Sequence, residues 1–451
     1  MTDDKRIYTL SSEKPAKAVL KMGLPLVCGM FVMVLYNLVD TYFIGKLNDD
    51  YQLAAVSLAY PLMMVMIAIS NMVGTGCSSL IARSLGAKDY ETANRTVSVG
   101  FALTFVMSLL VTAAGLIFLN PLVELLGADK TTFEFTRQYS QVILIGSFAT
   151  MGSFTFGQLL RSEGSATFSI VGMIAGTVTN IVLDPVFIFG LRMEIRGAAI
   201  ATVIGNIVGA LCPVIYYVKK RSILRPSLKL ALPTAKILGE IFWVGVPATL
   251  ETLLTAGAAI VLNNLAAAYG ALTVAAMGIS SKLMSFGSYI YQGFAAGLQP
   301  LMGFNFGAKN YRRMMALIRA GIAVITGAEL IVMAAFAVFA PQLIDIFTDT
   351  AEVVRIGAVV LRANMFILPF VGSIAASRAT FQAMGKPQYA FSITVVRQLV
   401  LYVPLQLLMN NIWGFGGMIW AQPLTECIMM LASLMLLFGV ISKFMKNQEG
   451  L

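Results

Sequence analysis

The sequence predicts an all-α polytopic membrane protein with twelve transmembrane helices in two parallel-repeat six-helix bundles. Three observations support this fold class: an apolar composition, long apolar segments, and a short motif that occurs twice. Hydrophobic residues make up 58% of the 451 residues and charged residues only 12%, with a mean hydropathy of +0.81. This leaves too few ionic groups to cover the surface of a soluble protein of this size. We therefore expect lipid to surround most of the chain.

Apolar segments recur from Val19 to Phe444 with short polar breaks between them. A helix needs roughly 20 apolar residues to cross the hydrocarbon of a bilayer. About six such helices are predicted up to Tyr217 and about six more from Ile237, and no soluble domain fits between them. The predicted domains are an N-terminal six-helix lobe (1–218), a basic cytoplasmic linker (219–236) and a C-terminal six-helix lobe (237–451).

The two halves repeat each other in sequence. Gly86-Ala87-Lys88-Asp89-Tyr90 recurs 221 residues later as Gly307-Ala308-Lys309-Asn310-Tyr311, and Gly23-Leu24-Pro25 matches Gly245-Val246-Pro247. Six helices is an even number, so both repeats enter the membrane from the same side and are related about the membrane normal. A duplicated membrane protein of this kind is typical of transporters, which place their substrate in the crevice between the lobes.

Lys and Arg are distributed unequally between the two predicted faces. Cytoplasmic loops retain positive charge, so we expect both termini to face the cytoplasm. The net charge of +10 is accounted for by this asymmetry and by contact with anionic membrane lipid, and no nucleic-acid partner is expected. The basic residues on the cytoplasmic side fall within 5–21, 83–95, 219–236 and 309–319, whereas the opposite face receives Lys46, Lys130, Arg137, Arg192, Arg196 and Arg355. The first residues carry no cleavable signal pattern.

Several kinds of chemistry are disfavoured by what the sequence lacks. The four cysteines lie singly in apolar segments without metal-ligand spacing, and histidine is absent, so proton coupling would have to use carboxylates. No GxxxxGK[ST] loop, HExxH or GxSxG motif occurs. We therefore expect no enzyme activity and no cofactor, with energy taken from an ion gradient.

Two acids in the first half ought not to lie in lipid. A carboxylate at a helix centre costs about 2.5 to 3.5 kcal/mol on insertion scales, so Asp40 and Asp184 must be shielded, neutralised or paired. Asp40 shares a helix face with Tyr36, and Asp184 shares one with Asn180. Such oxygens suit a proton or a hard cation, although the acids could instead merely accept hydrogen bonds from neighbouring helices.

The chain also resembles a known family in a set of motifs. They are Tyr36 to Gly45, the loop Arg83 to Lys88, Asn180 to Pro185, Gly197-Ala198-Ala199 and Pro300 to Ala308. Together they resemble the MATE (multidrug and toxic compound extrusion) family, nearest its DinF- and MepA-like bacterial branch. The resemblance covers Leu20 to about Lys443.

The resemblance implies a coupling site for H⁺ or Na⁺ in the first lobe. The positions that match its pattern are Tyr36, Asn37, Asp40, Asn180, Asp184 and Thr202. If the ion is Na⁺, the metal ligands would be Asp40, Asn180, Asp184 and Thr202.

The leading charge of the second half is Glu251, near the middle of the seventh predicted helix. It could attract a cationic substrate into a cavity, with Lys282 as the other candidate there, or it could simply pair with Lys282. A NorM-like branch of the family has a functional acid on this helix, but its spacing from the proline differs and that role is not transferred. Arg397 and Glu426 are predicted to form a buried ion pair, whereas Glu329 is left without an assigned partner.

These observations and the resemblance predict an antiporter in a bacterial inner (cytoplasmic) membrane. It would export amphipathic, often cationic small molecules by alternating access, coupled to H⁺ or Na⁺. A flippase or exporter of a lipid-linked or other anionic metabolite is the alternative. A cavity rich in basic residues would favour the alternative, whereas midspan acids favour cations. One chain supplies both lobes, so we expect a monomer.

Overall fold

The computed structural model describes residues 3–45, 50–348 and 350–449, and this part of the chain is helical without β-strands. Two π-helical turns follow α8 and α15, and a short 3₁₀ turn lies in the linker. The α-helices are α1 (Asp3–Ser11), α2 (Pro15–Gly45), α3 (Asp50–Gly86), α4 (Tyr90–Ile117), α5 (Leu119–Leu125), α6 (Phe133–Ile145), α7 (Ser147–Ser162), α8 (Ala166–Pro185), α9 (Glu194–Val218), α10 (Ala235–Ala267), α11 (Ala271–Gly307), α12 (Tyr311–Val338), α13 (Ala340–Asp345), α14 (Ala351–Ala383), α15 (Pro387–Val395) and α16 (Val403–Glu449).

The helices long enough to cross a membrane agree with the predicted number. Within the described residues, nine stretches are long and apolar enough, and α6 with α7 forms a tenth that bends by 52°. One of the nine, Pro387–Gln448, contains two helices because Gly414 interrupts it with a φ of +57°. The 37-residue α11 is also long enough. The described chain is therefore roughly consistent with six spanning helices on each side of the linker, and its all-helical architecture confirms the predicted fold class.

The chain divides into two compact units. One comprises 1–8 and 28–245, and the other comprises 9–27 and 246–451. The boundaries lie inside α1, α2 and α10, whereas the sequence-based division placed them at the linker. Packing explains the difference in each unit separately: in the second, Gly23 of α2 lies against Phe294 of α11, and in the first, Gly76 of α3 lies against the carbonyl group of Ile241 in α10.

The linker is fastened to the first unit by its backbone. The backbone N–H of Arg225 donates to Oδ1 of Asn94, and that of Ser227 donates to Oγ of Ser98 at 3.0 Å. Both acceptors lie on α4. The linker is therefore an ordered part of the first unit, held by hydrogen bonds that satisfy its own backbone donors.

Candidate functional site

Close packing of α8 against α9 builds the first candidate site. A Cβ added to Gly176 would lie 2.5 Å from the carbonyl oxygen of Gly205, and one added to Gly205 would lie 2.7 Å from that of Gly176. Gly172 faces the carbonyl group of Gly209 in the same way, at 3.0 Å. Even a methyl group would hold these helices apart. The small residues thus bring the polar face of α8 against α9.

Three predicted site residues meet at this contact. Nδ2 of Asn180 donates to Oδ1 of Asp184 at 3.3 Å and to Oγ1 of Thr202, on α9, at 3.4 Å. Asp184 is fully buried, and Asn180 and Thr202 are only 3% and 4% exposed. The structure therefore brings a carboxylate, an amide and a hydroxyl together inside the first unit.

The end of α8 adds a backbone acceptor nearby. Pro185 has no N–H, so it cannot donate to the carbonyl group of Ile181 one turn earlier. The chain continues as a π-helical turn over Val186–Gly190. Such turns are frequent at functional sites because they redirect the backbone within a helix.

The site has the chemistry of a receptor for H⁺ or a hard cation. Its carboxylate, amide, hydroxyl and carbonyl oxygens are the ligand types that hard cations take. Oδ1 of Asn180 is buried and receives no hydrogen bond from the described residues. A buried amide oxygen without a donor is costly, and a bound cation would remove that cost. The residues present therefore fit the predicted coupling ion.

The other half of the predicted coupling site lies outside the description. The side chains of Tyr36, Asn37 and Asp40 on α2 are among those that the structure does not describe. Their part in the site stays a prediction.

In the second unit, Glu251 of α10 lies in a polar cluster with α14. Its Oε2 accepts a hydrogen bond from Nη1 of Arg378 at 3.1 Å and one from Nε2 of Gln382 at 3.3 Å. Lys282, which the sequence offered as one possible partner of Glu251, is exposed and forms no ion pair within the described chain. The structure therefore contradicts that one of the two alternatives for Glu251. Arg378 and Gln382 were missed, although their four-residue spacing places both on one helix face.

The predicted pair of Arg397 and Glu426 is confirmed. Nε of Arg397 donates to Oε1 of Glu426 at 2.9 Å, and the side chains are 11% and 2% exposed. The pair joins the π-helical turn Val396–Tyr402 to α16. Opposite charges at this depth neutralise each other, so the pair has a structural role.

A buried acid that sequence reasoning overlooked, Glu163, lies in the turn between α7 and α8, outside the spanning helices. Oγ of Ser222 donates to its Oε2, and Nη1 of Arg6 lies 4.0 Å from its Oε1. Burial raises the pKa of Glu163 to about 7, although the Ser222 hydroxyl and the Arg6 guanidinium act in the opposite direction. The available signal was that Arg161-Ser162-Glu163-Gly164 aligns with Gln382-Ala383-Met384-Gly385 of the second half, which has no acid at the position of Glu163.

Comparison with known proteins decides the family. The MatE family model matches residues 25–186 and 247–408. The chain belongs to the MATE family. The Multidrug export protein MepA of Staphylococcus aureus (strain MRSA252) is 31% identical over 435 residues, 96% of each chain, and MepA of Staphylococcus saprophyticus is 32% identical over the same length and share.

A solved structure supports the same assignment. It is described as the outward-facing conformation of a multidrug resistance MATE family transporter of the MOP superfamily. It is 28% identical, covers 98% of this chain and 99% of its own, and superposes with a TM-score of 0.92. This MATE protein is therefore a multi-pass membrane transporter and not an enzyme.

The matched segments also show how the two MATE repeats differ. They begin 222 residues apart, at 25 and 247, which confirms the duplication. At this offset, Tyr402 and Gln406 correspond to Asn180 and Asp184, and Nε2 of Gln406 donates to the Tyr402 hydroxyl at 3.3 Å. The two positions are hydrogen-bonded in both repeats, but in the second the donor is the later residue and the carboxylate is replaced by a neutral amide. At this pair of positions only the first repeat has an acid.

Proposed function

We propose that this transporter exports amphipathic, often cationic small molecules in exchange for H⁺ or Na⁺. The coupling ion binds at Asp184, Asn180 and Thr202, together with Tyr36, Asn37 and Asp40 of α2. The observation that carries the proposal is the buried cluster of Asp184, Asn180 and Thr202, in which one amide oxygen has no donor among the described residues.

Three further facts support this function. The curated relatives named above are multidrug export proteins. The sequence has no phosphate-binding loop, so an ion gradient is the expected source of energy. The second repeat replaces Asp184 by an amide, so at this pair of positions only the first repeat can hold a charge-dependent switch.

The coupling follows from the cost of a charge in an apolar interior. Without a bound cation, two carboxylates on α2 and α8 repel each other and must stay hydrated. Binding of H⁺ or Na⁺ removes the repulsion and lets α2 bend or shift towards α8. The free energy of ion binding is then available to favour the conformation that releases substrate outward.

One observation favours the alternative cargo. Glu251, the acid expected to attract cations in the second unit, is offset by Arg378, whose buried Nε has no hydrogen-bond acceptor among the described residues. A basic group with an unused donor suits an anion, as in a lipid-linked or other anionic metabolite. Export of such a compound is the second candidate function.

We also propose the setting of the transporter. Both termini face the cytoplasm, since the basic loops gather on that side. It is a monomer in a bacterial inner membrane, with surrounding lipid and the exported small molecule as its partners.

The test is efflux of a fluorescent cationic dye from proteoliposomes under an imposed pH gradient or an imposed Na⁺ gradient. We expect one of the two gradients to drive efflux by the wild type and Asp184→Asn to abolish that response. Neutralising the acid removes the charge that the ion compensates, while the side chain keeps its size.

Asp129→Asn is the matched control, because it also removes one carboxylate, from an exposed loop. It should leave efflux unchanged. Gradient-driven efflux that persists in Asp184→Asn would refute the coupling site. If the wild type exports no dye under either gradient but exports an anionic lipid analogue, the second candidate function is favoured.

A further inference from the structure

A second buried acid, Glu329 of α12, has no role in the function described above. It is fully buried, and among the described residues no side chain donates a hydrogen bond to its carboxyl oxygens, which have only the backbone of Tyr291 beside them. It lies about 27 Å along a helix of about 42 Å at the usual rise per residue. This depth is within the hydrocarbon region, away from both helix ends.

The packing around Glu329 is apolar. Ile325, one turn earlier on α12, is fully buried and lies against Gly372 of α14. The Cβ of Tyr291, a residue of α11 whose backbone is next to the Glu329 carboxyl, lies at the same face of Gly372. Tyr291 is an ionisable side chain at this contact, and its phenol is neutral at physiological pH.

The described charged groups on the helices around α12 are engaged elsewhere or exposed. Arg378 of α14 binds Glu251, and Glu426 of α16 binds Arg397. Nε of Arg362, on α14, donates to the carbonyl group of Ala337, two turns beyond Glu329. Lys282 of α11 is exposed. None of them is placed to neutralise a carboxylate at position 329.

The protonation state follows from this arrangement. An ionised carboxylate buried without a cation is far more costly than a neutral carboxylic acid of the same size. An apolar side chain would cost less than an ionised or a neutral carboxyl group. A carboxyl group at this depth is therefore consistent with a site that binds and releases a ligand. The smallest ligand that satisfies it is a proton.

We propose that Glu329 is a second proton-binding site, in the second unit, which carries a proton at neutral pH and exchanges it during transport. Glu329 binds the proton without a basic partner and loses it when a change of conformation admits water to the carboxyl. The occupancy of the site does not depend on the proposed antiport, whereas its part in transport does.

Infrared spectroscopy of the purified full-length protein tests the occupancy. A protonated carboxylic acid has a carbonyl stretch that is separate from the bands of carboxylates and amides and shifts in deuterated water. We expect Glu329→Gln to remove one such band at neutral pH and Glu329→Asp to retain it at a shifted position. Glu352→Gln is the control, because Glu352 is partly exposed and bound to Arg355 at 2.7 Å. It should leave the band unchanged.

Identical protonated-carboxyl bands in Glu329→Gln and the wild type would overturn the proposal. So would a wild-type band that fails to shift after turnover in deuterated water, since the proton would then be static. In proteoliposomes, Glu329→Gln should lower the number of protons moved per substrate by one. An unchanged ratio would refute the role in transport. If the wild type drives no dye efflux, the proposed antiport fails, but the infrared test of the proton at Glu329 is unaffected.

Discussion

Substitution of Gly205 by Ala should disturb the first candidate site through packing alone. The added Cβ would lie 2.7 Å from the carbonyl oxygen of Gly176 and 2.9 Å from the Cβ of Asn180. Both obstacles are backbone or Cβ atoms, so α8 and α9 have to separate. Overpacking costs about 1 to 3 kcal/mol, whereas Ala in place of Gly gains about 1 kcal/mol of helix propensity. We expect a net loss of up to about 2 kcal/mol relative to the wild type.

The same separation should weaken the coupling site. Nδ2 of Asn180 is already 3.4 Å from Oγ1 of Thr202, at the limit of a hydrogen bond. A shift of a few tenths of an ångström breaks it, so ion-driven dye efflux should fall together with the apparent melting temperature in detergent.

Gly327→Ala provides the matched control for Gly205→Ala. Gly327 also lies inside a spanning helix, α12, but a Cβ there meets no atom within 4 Å. It should leave efflux intact and either preserve or raise the melting temperature, through the same helix propensity. If Gly205→Ala is as stable and as active as Gly327→Ala, the reasoning from close α8–α9 packing is refuted.

Two other predictions concern buried charges. Arg397→Met should destabilise the protein by about 3 to 5 kcal/mol because Glu426 is left buried without its cation. Combining it with Glu426→Leu should restore thermal stability, and a single variant as stable as wild type would contradict this. For Glu163, the pKa rises on folding from 4.5 to about 7, so its stabilisation is complete below pH 4.5 and lost as pH rises through 7. Between pH 4.5 and pH 7, the free energy of unfolding of the wild type should fall by about 3 kcal/mol relative to that of Glu163→Gln. Parallel curves of melting temperature against pH for the two proteins would refute this prediction.

The fold followed from the sequence because it depends on regular patterns. Long apolar segments and the 221-residue recurrence of the Gly86 motif predicted two sets of six helices, and the spans in the described chain agree. In lipid, every backbone N–H and C=O must be satisfied within its own helix. Composition alone therefore determines secondary structure more strongly than it does in water.

The partner of a buried charged side chain was predictable only where depth along the helices matched it with one residue of opposite charge. Arg397 and Glu426 were matched by depth on neighbouring helices, and the structure pairs them. For Glu251 the sequence left open a cationic substrate or a pair with Lys282, whereas the structure gives it Arg378. Which cation a carboxylate meets depends on helix rotation and crossing, which hydropathy does not specify.

By itself, the sequence determined the class of protein, the duplication and the residue types able to hold a cation, because each depends on composition or on spacing along one chain. Only the tertiary structure decided that Gly176 and Gly205 bring Asn180 to Thr202, that Arg378 binds Glu251, and that Glu329 lies among apolar neighbours. These are contacts between residues far apart in the chain. Their energies depend on distance and on the exclusion of water, and both are set only when the helices pack.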